Sequence, residues 1–478
     1  MTDIPITDII RDVYRHPDLR RLLQPASVAL VGASANAASL GGRTLANLAP
    51  FPGRLFPVNS KHAALGGRTC YPSISALPEP PDCVVLAVPQ ESVEAVVTEC
   101  AQRGAGAVIV LASGYAETGL PEDAAAQQRL LAIGRAHSMR VVGPNCVGVA
   151  NRAHGLLAAF AEFPPGGLIP GTRIGLVAQS GALGLGLSHA AEIGSSISHV
   201  LTCGNSCDVD VADYVAYLAD DASCDVIALV FEGLPDPARL AAAARLAAAR
   251  GKRIAACKLG MSREGQAAAR YHTHTATGDT GAWPGLFRQA GIVQVTRVET
   301  LLETAAFLAK APAPRPCAAG GASGAAIVSG SGGTAILATD AASRHGVPVP
   351  QPAAETTARL RAALPPFGSP RNPCDATAQA TRNPESLLEC ADAMLADAQY
   401  GALVIPWGRS QPVRLLAQLG ELSARHGKPV CIVWMSQRHE APGAEEAEKN
   451  PRLALFRSLD ACFDALAQWQ RLCATAQP

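Results

Sequence analysis

The sequence predicts an α/β protein in which three domains with parallel sheets follow one another. Three observations predict this fold class. The length of 478 residues corresponds to about three domains of ~150 residues each. Apolar runs of strand composition alternate with Ala-rich helical segments, as in parallel sheets covered by helices. Three times, an apolar run ends in a glycine turn that opens a helix. We place the domains at residues 1–150, 151–312 and 325–478.

Composition narrows the class of protein. The 40 basic and 40 acidic residues cancel, so net charge gives no indication of a nucleic acid or a membrane surface as partner. No apolar run reaches the ~18 residues of a membrane span, and the charged N-terminal segment has no apolar signal core, which predicts a cytoplasmic protein. The 14 cysteines include no Cys-x-x-Cys pair, so we expect reduced, buried thiols and no metal site.

In the first domain, the run SVALVGAS ends in a turn that contains Gly32 and Ser34 and leads into a helix. Such a unit can bring a phosphate to a helix N-terminus, although a tight connection without ligand has the same pattern. The next strand ends in PVNSK, so Lys61 follows it where a dinucleotide site would have an acidic residue. A lysine favours a phosphorylated nucleotide over NAD, unless it is only a solvated surface residue.

In the second domain, the strand RIGLVAQSG delivers Ser180 and Gly181 to a helix start. Free N–H groups and the positive end of the helix dipole make this an anion site, and Ser180 is also an ordinary N-cap. Glu232 ends the strand DVIALVFEG, where ligands of a parallel sheet bind. A carboxylate there could orient an imidazole or stabilise its charged form.

Three acids in the second domain, Asp208, Asp210 and Asp213, lie close together near a helix start. They either cap that helix or hold a cation, and capping is the interpretation that the pattern favours.

Residues 270–291 contain His272 and His274 among turn-forming residues, which predicts a loop. A neutral imidazole on a loop is a usable nucleophile toward phosphorus near pH 7. Two alternatives remain: incidental histidines in a solvated loop, and a metal-binding His-x-His pair that lacks an evident third ligand.

A linker rich in Pro, Ala and Gly, residues 311–324, precedes the third domain. The strand AAIVSG then leads to Gly332 and Gly333 at a helix start. This turn is a second candidate phosphate site or a plain connection. The later strands ALVIPWG and PVCIVWM indicate a flavodoxin-like unit.

Taken in order, GAS, PVNSK, VVLAVP and GPNCVG resemble the CoA-binding domain of the NDP-forming acyl-CoA synthetase superfamily. That superfamily includes succinyl-CoA synthetase and the ADP-forming acetate–CoA ligases. The resemblance continues through QSGALG and FRQAG in the second domain. It implies a Rossmann-like CoA-binding domain followed by two flavodoxin-like α/β domains. It also implies that coenzyme A is bound by Gly32, Ser34, Lys61, Val88, Pro89 and Asn145.

The same resemblance implies the catalytic roles. His272 matches the phosphohistidine and Glu232 matches the glutamate that contacts it. The helix starts at Ser180-Gly181 and Gly332-Gly333 match the two phosphate sites between which the histidine loop is proposed to swing.

Several positions depart from the family pattern. The family's SHTG reads YHTH here, so Tyr271 replaces serine and His274 replaces a glycine whose backbone angles histidine disfavours. The third domain has SGSGG and NPCD where the family has TN-x-GG and NPVD, and PVNSK stands for PVNPK.

The resemblance implies a reaction: carboxylate + CoA + ATP ⇌ acyl-CoA + ADP + phosphate. We find no segment for the ATP-grasp domain of such ligases, so we expect an α-type subunit. Its ATP-grasp β-type partner would bind ATP or ADP with Mg²⁺, and the complex would be a hetero-oligomer. Two other functions remain open: a CoA acyltransferase or phosphotransacylase-like enzyme without nucleotide, and a non-catalytic CoA-binding regulatory subunit. The acyl substrate depends on a few pocket side chains that one sequence does not reveal.

Overall fold

The computed structural model of the chain describes residues 11–273, 280–312, 324–378, 383–408, 412–438 and 442–475. The chain forms two compact units. The first consists of Met1–Leu168, Arg173–Ala191 and Ile197–Val298, and the second of Ile169–Thr172, Glu192–Ser196 and Glu299–Pro478. The predicted domain boundaries at residues 150, 312 and 325 remain predictions.

The first sheet lies in the first unit. Its elements and the short ladder beside them are α1 (His16–Leu23), β1 (Ser27–Val31), α2 (Leu40–Leu48), β2 (Arg54–Val58), β3 (Ala64–Leu65), β4 (Arg68–Thr69), β5 (Cys83–Leu86), α3 (Gln90–Arg103), β6 (Ala107–Val110), α4 (Pro121–Ala136) and β7 (Arg140–Val142). The strand order is β2-β1-β5-β6-β7, and every pair of neighbours is parallel.

The second sheet belongs to the same unit. Its elements are β8 (Gly148–Asn151), β9 (Leu156–Ala159), β10 (Ile174–Ala178), α5 (Gly181–Ser188), β11 (Ile197–Thr202), α6 (Val211–Asp220), β12 (Val226–Phe231), α7 (Pro237–Ala249), β13 (Arg253–Lys258), α8 (Arg263–Thr273), α9 (Trp283–Ala290) and β14 (Ile292–Gln294). The order is β14-β13-β12-β10-β11-β8-β9. The first five strands are parallel, and β8 runs antiparallel to both of its neighbours.

The third sheet forms the second unit with its helices. The elements are α10 (Leu301–Lys310), β15 (Gly324–Ser329), α11 (Gly332–Arg344), α12 (Ala354–Ala363), β16 (Cys374–Asp375), α13 (Pro384–Ala396), β17 (Tyr400–Trp407), α14 (Val413–His426), β18 (Val430–Trp434), α15 (Ala444–Lys449), β19 (Leu453–Phe456) and α16 (Leu459–Thr475). The order is β16-β15-β17-β18-β19, and all pairs are parallel.

The strands form where the sequence predicts them, because their Val, Ile and Leu side chains are covered on both faces. Strands β1, β5, β10 and β12 are buried along their whole length. One hydrophobic core runs through both sheets of the first unit and includes Leu19 of α1 and Tyr214 of α6. Each fully buried leucine in it stabilises the fold by roughly 1.5–3 kcal/mol.

Helix ends follow local capping chemistry. The Ser39 side chain accepts a hydrogen bond from Gly42 N at 3.0 Å where α2 begins. Asp236 accepts one from Ala238 N at 2.9 Å at the start of α7. Gly104 ends α3 with φ of +81°, a left-handed conformation that glycine adopts without strain.

Each large sheet contains a switch point, a place where consecutive connections leave in opposite directions. After β1 the chain adds β2 on one side and then crosses to β5 on the other. The same change occurs between β10 and β12, and between β15 and β17. Ligands of open α/β sheets bind at such points, beyond the carboxyl ends of the strands. The three predicted glycine turns therefore lie at the three places where the topology favours a ligand.

The cysteines have the state that the composition predicts. The twelve cysteines that the structure describes are free and buried, whereas Cys317 and the side chain of Cys473 lie outside the described residues. Within the described ranges, no group of three or more His, Cys, Asp and Glu residues could hold a metal ion. No helix in those ranges has both the length and the apolar character needed to cross a bilayer.

Candidate active site

The first switch point is built around Gly32, directly after β1. Its φ is +84°. A Cβ atom there would lie 2.2 Å from the backbone oxygen of Ala87 and 3.2 Å from Cγ1 of Val88. Only glycine therefore allows the turns after β1 and β5 to approach so closely. Val88 is half-buried, and Pro89 is exposed at the N-cap of α3.

Asn59 connects two turns at the same edge of the sheet through hydrogen bonds. It is not among the residues predicted from the sequence to form the site. Its Nδ2 donates to the backbone oxygen of Ala33 at 2.9 Å, and its Oδ1 accepts from Lys61 N at 2.9 Å. Asn59 thus joins the turn after β1, next to the half-buried Ser34, to the loop after β2. The signal was present, because asparagine after an apolar strand is a typical turn residue. The Lys61 side chain is exposed and can meet a phosphate.

Asn145 follows β7 at the same edge, with φ of +56°. Its backbone N donates to Ala112 O at 2.8 Å, and its Nδ2 donates to Asn205 Oδ1 at 3.4 Å. Asn205 in turn donates to Gln127 Oε1 at 2.9 Å. Because Asn205 follows β11, this chain of bonds connects the edge of the first sheet to that of the second. All six residues predicted to bind coenzyme A follow the carboxyl ends of strands in the first sheet.

The second switch point contains the predicted anion site. Ser180 is the N-cap of α5, and its Oγ accepts from Leu183 N at 3.5 Å, so the predicted cap is confirmed. At Gly181 a Cβ atom would lie 2.2 Å from Cγ2 of Val147, so a larger residue would displace the helix start. The first N–H groups of a helix have no partner within the helix, and this end favours an anion.

Glu232 lies across the switch point from Ser180, because β12 pairs in parallel with β10. The side chain of Gln179, itself 5% exposed, accepts hydrogen bonds from Glu232 N at 2.8 Å and Gly233 N at 3.1 Å. Glu232 is 8% exposed. Gln179 therefore fixes the backbone from which the Glu232 carboxylate projects.

Replacing Gln179 by methionine should cost about 1–3 kcal/mol of stability for each of the two buried N–H groups that lose their acceptor. It should also slow any reaction that depends on Glu232. Urea unfolding followed by far-UV circular dichroism measures the first effect. The exposed Gln399, changed to methionine, is the control and should shift the midpoint by less than about 0.5 kcal/mol. Equal shifts in the two variants would contradict the role of Gln179.

Lys258 is a second residue that the sequence analysis did not single out. It ends β13 and is 5% exposed. Its Nζ donates to the backbone oxygens of Glu232 at 2.5 Å and Leu259 at 2.6 Å. Burial lowers its pKa to about 8, and the Glu232 carboxylate acts in the opposite direction. A lysine at the end of an otherwise apolar strand was the available signal.

His272 corrects one prediction. The sequence analysis placed it in a loop, but it lies in the last turn of α8, Arg263–Thr273. The helix forms because Ser262 Oγ accepts from Gly265 N at 2.9 Å, as an N-cap does, and because the residues that follow are mostly helix formers. His274 lies outside the described residues, as does the side chain of His272.

Two of the three acids near α6 cap that helix, as the sequence favours. Asp210 is the N-cap and accepts from Ala212 N at 2.9 Å, and Asp213 completes a capping box by accepting from Asp210 N at 3.0 Å. Asp208 does not cap: its carboxylate accepts from Val141 N at 3.1 Å and Tyr14 Oη at 2.9 Å.

The positive charge beside these acids comes from arginines. Arg239, 5% exposed, binds both Asp210 and Asp213, the latter at 2.8 Å. Arg11 also binds Asp213, at 2.7 Å. Two guanidinium groups thus pair with two buried carboxylates.

The third switch point differs from the second in the groups that surround its helix start. Ser331 is the N-cap of α11, but its side chain makes no capping bond. Asp375, which follows Cys374 in β16, has Oδ2 3.2 Å from where a Cβ of Gly332 would lie, and its Oδ1 accepts from Thr377 N at 2.8 Å. A carboxylate is therefore already near this helix start. Phosphate binding at Gly332 and Gly333 remains a prediction.

Two known protein-domain families match consecutive parts of the chain. A CoA binding domain matches residues 26–152, and a succinyl-CoA ligase like flavodoxin domain matches residues 170–308. These matches and the sheets described above define a CoA-binding α/β protein of the succinyl-CoA ligase type, which confirms the predicted fold class.

Three similar proteins indicate which family within this class the chain belongs to. The ADP-forming acetate–CoA ligase I of Archaeoglobus fulgidus is 33% identical over 358 residues, which cover 75% of this chain and 50% of the relative. The α subunit of ADP-forming acetate–CoA ligase I of Pyrococcus furiosus is 30% identical over 436 residues, covering 85% and 91%. A structure of Ca. Korarchaeum cryptofilum dinucleotide forming acetyl-coenzyme A synthetase 1, in complex with phosphate and ADP, aligns with a TM-score of 0.82 at 26% identity, covering 95% and 96%.

The chain belongs to the family of ADP-forming acetate–CoA ligases, within the NDP-forming acyl-CoA synthetase superfamily. It spans about half the length of the Archaeoglobus relative and 91% of the Pyrococcus α subunit.

Proposed function

We propose that this chain is the CoA-binding, α-type part of an acyl-CoA synthetase that catalyses carboxylate + CoA + ATP ⇌ acyl-CoA + ADP + phosphate through phosphohistidine at His272. The arrangement at the second switch point is the observation that carries the proposal. Ser180 caps the helix after β10, and Glu232 directly follows the adjacent β12. Strand β13, next to β12, leads into the helix that contains His272.

The reaction divides into three transfers. A nitrogen of His272 attacks the γ-phosphorus of ATP, an N–P bond forms, and ADP leaves. The substrate carboxylate then attacks phosphorus, which gives an acyl phosphate and frees the imidazole. The CoA thiolate finally attacks the acyl carbon, and phosphate leaves. Each step moves one activated group, so one unfavourable condensation becomes three easier reactions.

The described residues suit the phosphorylated intermediate. The N-terminus of α5 at Ser180 and Gly181 offers N–H donors to the phosphoryl oxygens without a lysine. The Glu232 carboxylate, on a backbone held by Gln179, would orient the imidazole and stabilise its positive charge as the N–P bond forms. In the reverse direction the CoA thioester would enter from the edge that carries Gly32, Lys61 and Asn145.

The nucleotide half of the reaction needs a further protein module. The CoA-binding and flavodoxin-like domain matches cover residues 26–152 and 170–308, and we assign the third, five-stranded sheet to a second flavodoxin-like domain. We propose an ATP-grasp β-type subunit that binds ATP or ADP with Mg²⁺ and forms a hetero-oligomer with this chain. The relative with 91% coverage is named an α subunit, which supports a separate partner, whereas the Archaeoglobus relative is about twice the matched length. The cytoplasmic location remains a prediction.

Labelling with phosphate tests the proposal without the partner. The purified chain is incubated with acetyl-CoA and [¹⁸O]phosphate and digested at neutral pH, because phosphohistidine is acid-labile. Mass spectrometry should place a labelled phosphate on the peptide that contains His272. Other short acyl-CoAs serve where acetyl-CoA is a poor substrate. An unlabelled peptide with every acyl-CoA, from a chain that still binds CoA, would refute the phosphohistidine mechanism.

The departure of this segment from SHTG, with Tyr271 and His274, favours one second candidate, a non-catalytic CoA-binding subunit. The same experiment separates the candidates. CoA binding without phosphorylation supports the regulatory subunit. Acyl phosphate released without labelled protein supports a phosphotransacylase-like enzyme.

A further inference from the structure

A buried positive charge lies beneath the carboxyl edge of the second sheet. Lys258 ends β13, and its ammonium donates to the backbone oxygen of Glu232, at the end of β12, and to that of Leu259, next in its own chain. One side chain therefore joins the ends of two neighbouring strands. The first carries Glu232, and the second leads within a few residues to the helix that contains His272.

The surroundings of Lys258 are largely aromatic. Its Nζ lies 5.8 Å from the ring centroid of Phe231 and 5.7 Å from that of Trp283, within the range of a cation–π contact. The two rings meet edge to face at 5.2 Å, and Trp283 begins α9. Burying an ammonium group in such a place is unfavourable unless it is paired. Two backbone oxygens and two aromatic rings provide this pairing, and they hold the positive charge at the end of β13, next to Glu232.

We propose that Lys258 is a positioning residue for phosphoryl transfer: its ammonium clamps the ends of β12 and β13, so that Glu232 and the helix of His272 keep a fixed relation, and its charge offsets the phosphoryl group. The inference rests on the proposed function. A phosphoryl group brings about −1.5 to −2 charges close to the carboxylate of Glu232. Because Lys258 and Glu232 are both buried, one fixed positive charge behind that carboxylate reduces the repulsion.

The clamp has a pH signature. Within the described residues, the Glu232 carboxylate at the end of β12 acts to raise the pKa of Lys258. The rings of Phe231 from β12 and Trp283 from α9, which lie beside its ammonium group, carry no charge. Burial places the pKa of Lys258 at about 8, so the ammonium is present below that pH and is lost above it. The rate of phosphohistidine formation should therefore fall as pH rises through about 8.

The chain offers a matched control in Lys252, at the opposite end of the same strand. Its Nζ also donates to two backbone oxygens, those of Leu218 at 2.6 Å and Asp221 at 2.5 Å, and burial also lowers its pKa. Lys252→Met removes the same kind of bridge far from the carboxyl edge. It should reproduce any general loss of stability without the effect on the reaction.

The test measures the rate of His272 phosphorylation from acyl-CoA and phosphate between pH 6 and 9.5 in the wild type, Lys258→Met, Lys258→Arg and Lys252→Met. We expect Lys258→Met to be about 10²-fold slower at pH 7, with unchanged CoA affinity and no fall through pH 8. Lys258→Arg should recover part of the rate and move the fall above pH 9.5. Lys252→Met should match the wild type. A wild-type rate and pH profile in Lys258→Met, or equal losses in both methionine variants, would overturn the proposal.

Hydrogen exchange tests the clamp independently of the proposed phosphohistidine mechanism. The amides of Glu232 and Gly233 should exchange faster in Lys258→Met than in Lys252→Met or the wild type. If the variants show this exchange pattern but the wild type is not phosphorylated, the phosphohistidine mechanism is refuted and the clamp is still supported. Unchanged exchange would refute the clamp.

Discussion

Replacing His272 by asparagine is expected to abolish phosphorylation of the chain and to lower the rate of acyl-CoA synthesis by about 10⁴-fold or more. The imidazole is the proposed nucleophile, and no step can proceed around it once the side chain cannot form an N–P bond. Asparagine keeps the size and polarity of the position, so α8 and the CoA site should persist. The measurements are labelled-phosphate incorporation, and turnover with the partner subunit present.

The control is His274→Gly, in the same segment. It removes a histidine and introduces the residue that the family has, so we expect phosphorylation to continue. CoA affinity, measured by isothermal titration, should be unchanged in both variants. Full turnover of His272→Asn, or loss of phosphorylation in His274→Gly alone, would move the nucleophile away from His272.

Replacing Arg239 by methionine is expected to destabilise the first unit by about 3–5 kcal/mol. Asp210 and Asp213 are almost fully buried and share this guanidinium. Methionine fills most of the volume, but among the described residues it leaves Asp210 without its guanidinium partner and Asp213 with Arg11. The midpoint of urea unfolding measures the loss.

Arg250→Met is the matched control, since Arg250 lies at the end of the same helix. Its side chain is 59% exposed and pairs with Asp220 at 2.7 Å, so its loss should cost at most about 1 kcal/mol. Adding Mg²⁺ or Ca²⁺ to the wild type should leave the midpoint in place, because the carboxylates already pair with arginine. A large stabilisation by either ion would favour the cation site instead.

Much of the fold could be predicted from local pattern. The strands from β1 to β18 that the sequence analysis named are present, because a buried parallel strand is a short apolar run and needs no partner to be identified. The antiparallel pair β8 and β9 and the strand β11 were not named. The turn-forming residues around His272 predict a loop, whereas the helix formers that precede it extend α8 through this position.

The sequence by itself determined three strand–glycine–helix units and the residue types that can carry a phosphoryl group, because these are properties of neighbours along the chain. Tertiary structure alone decided which groups meet. Gln179 reaches the amide of Glu232 across 53 positions, Lys258 reaches its carbonyl across 26, and Arg11 reaches Asp213 across 202. The partner of a buried polar group is set by the packing of strands and helices that are distant in sequence.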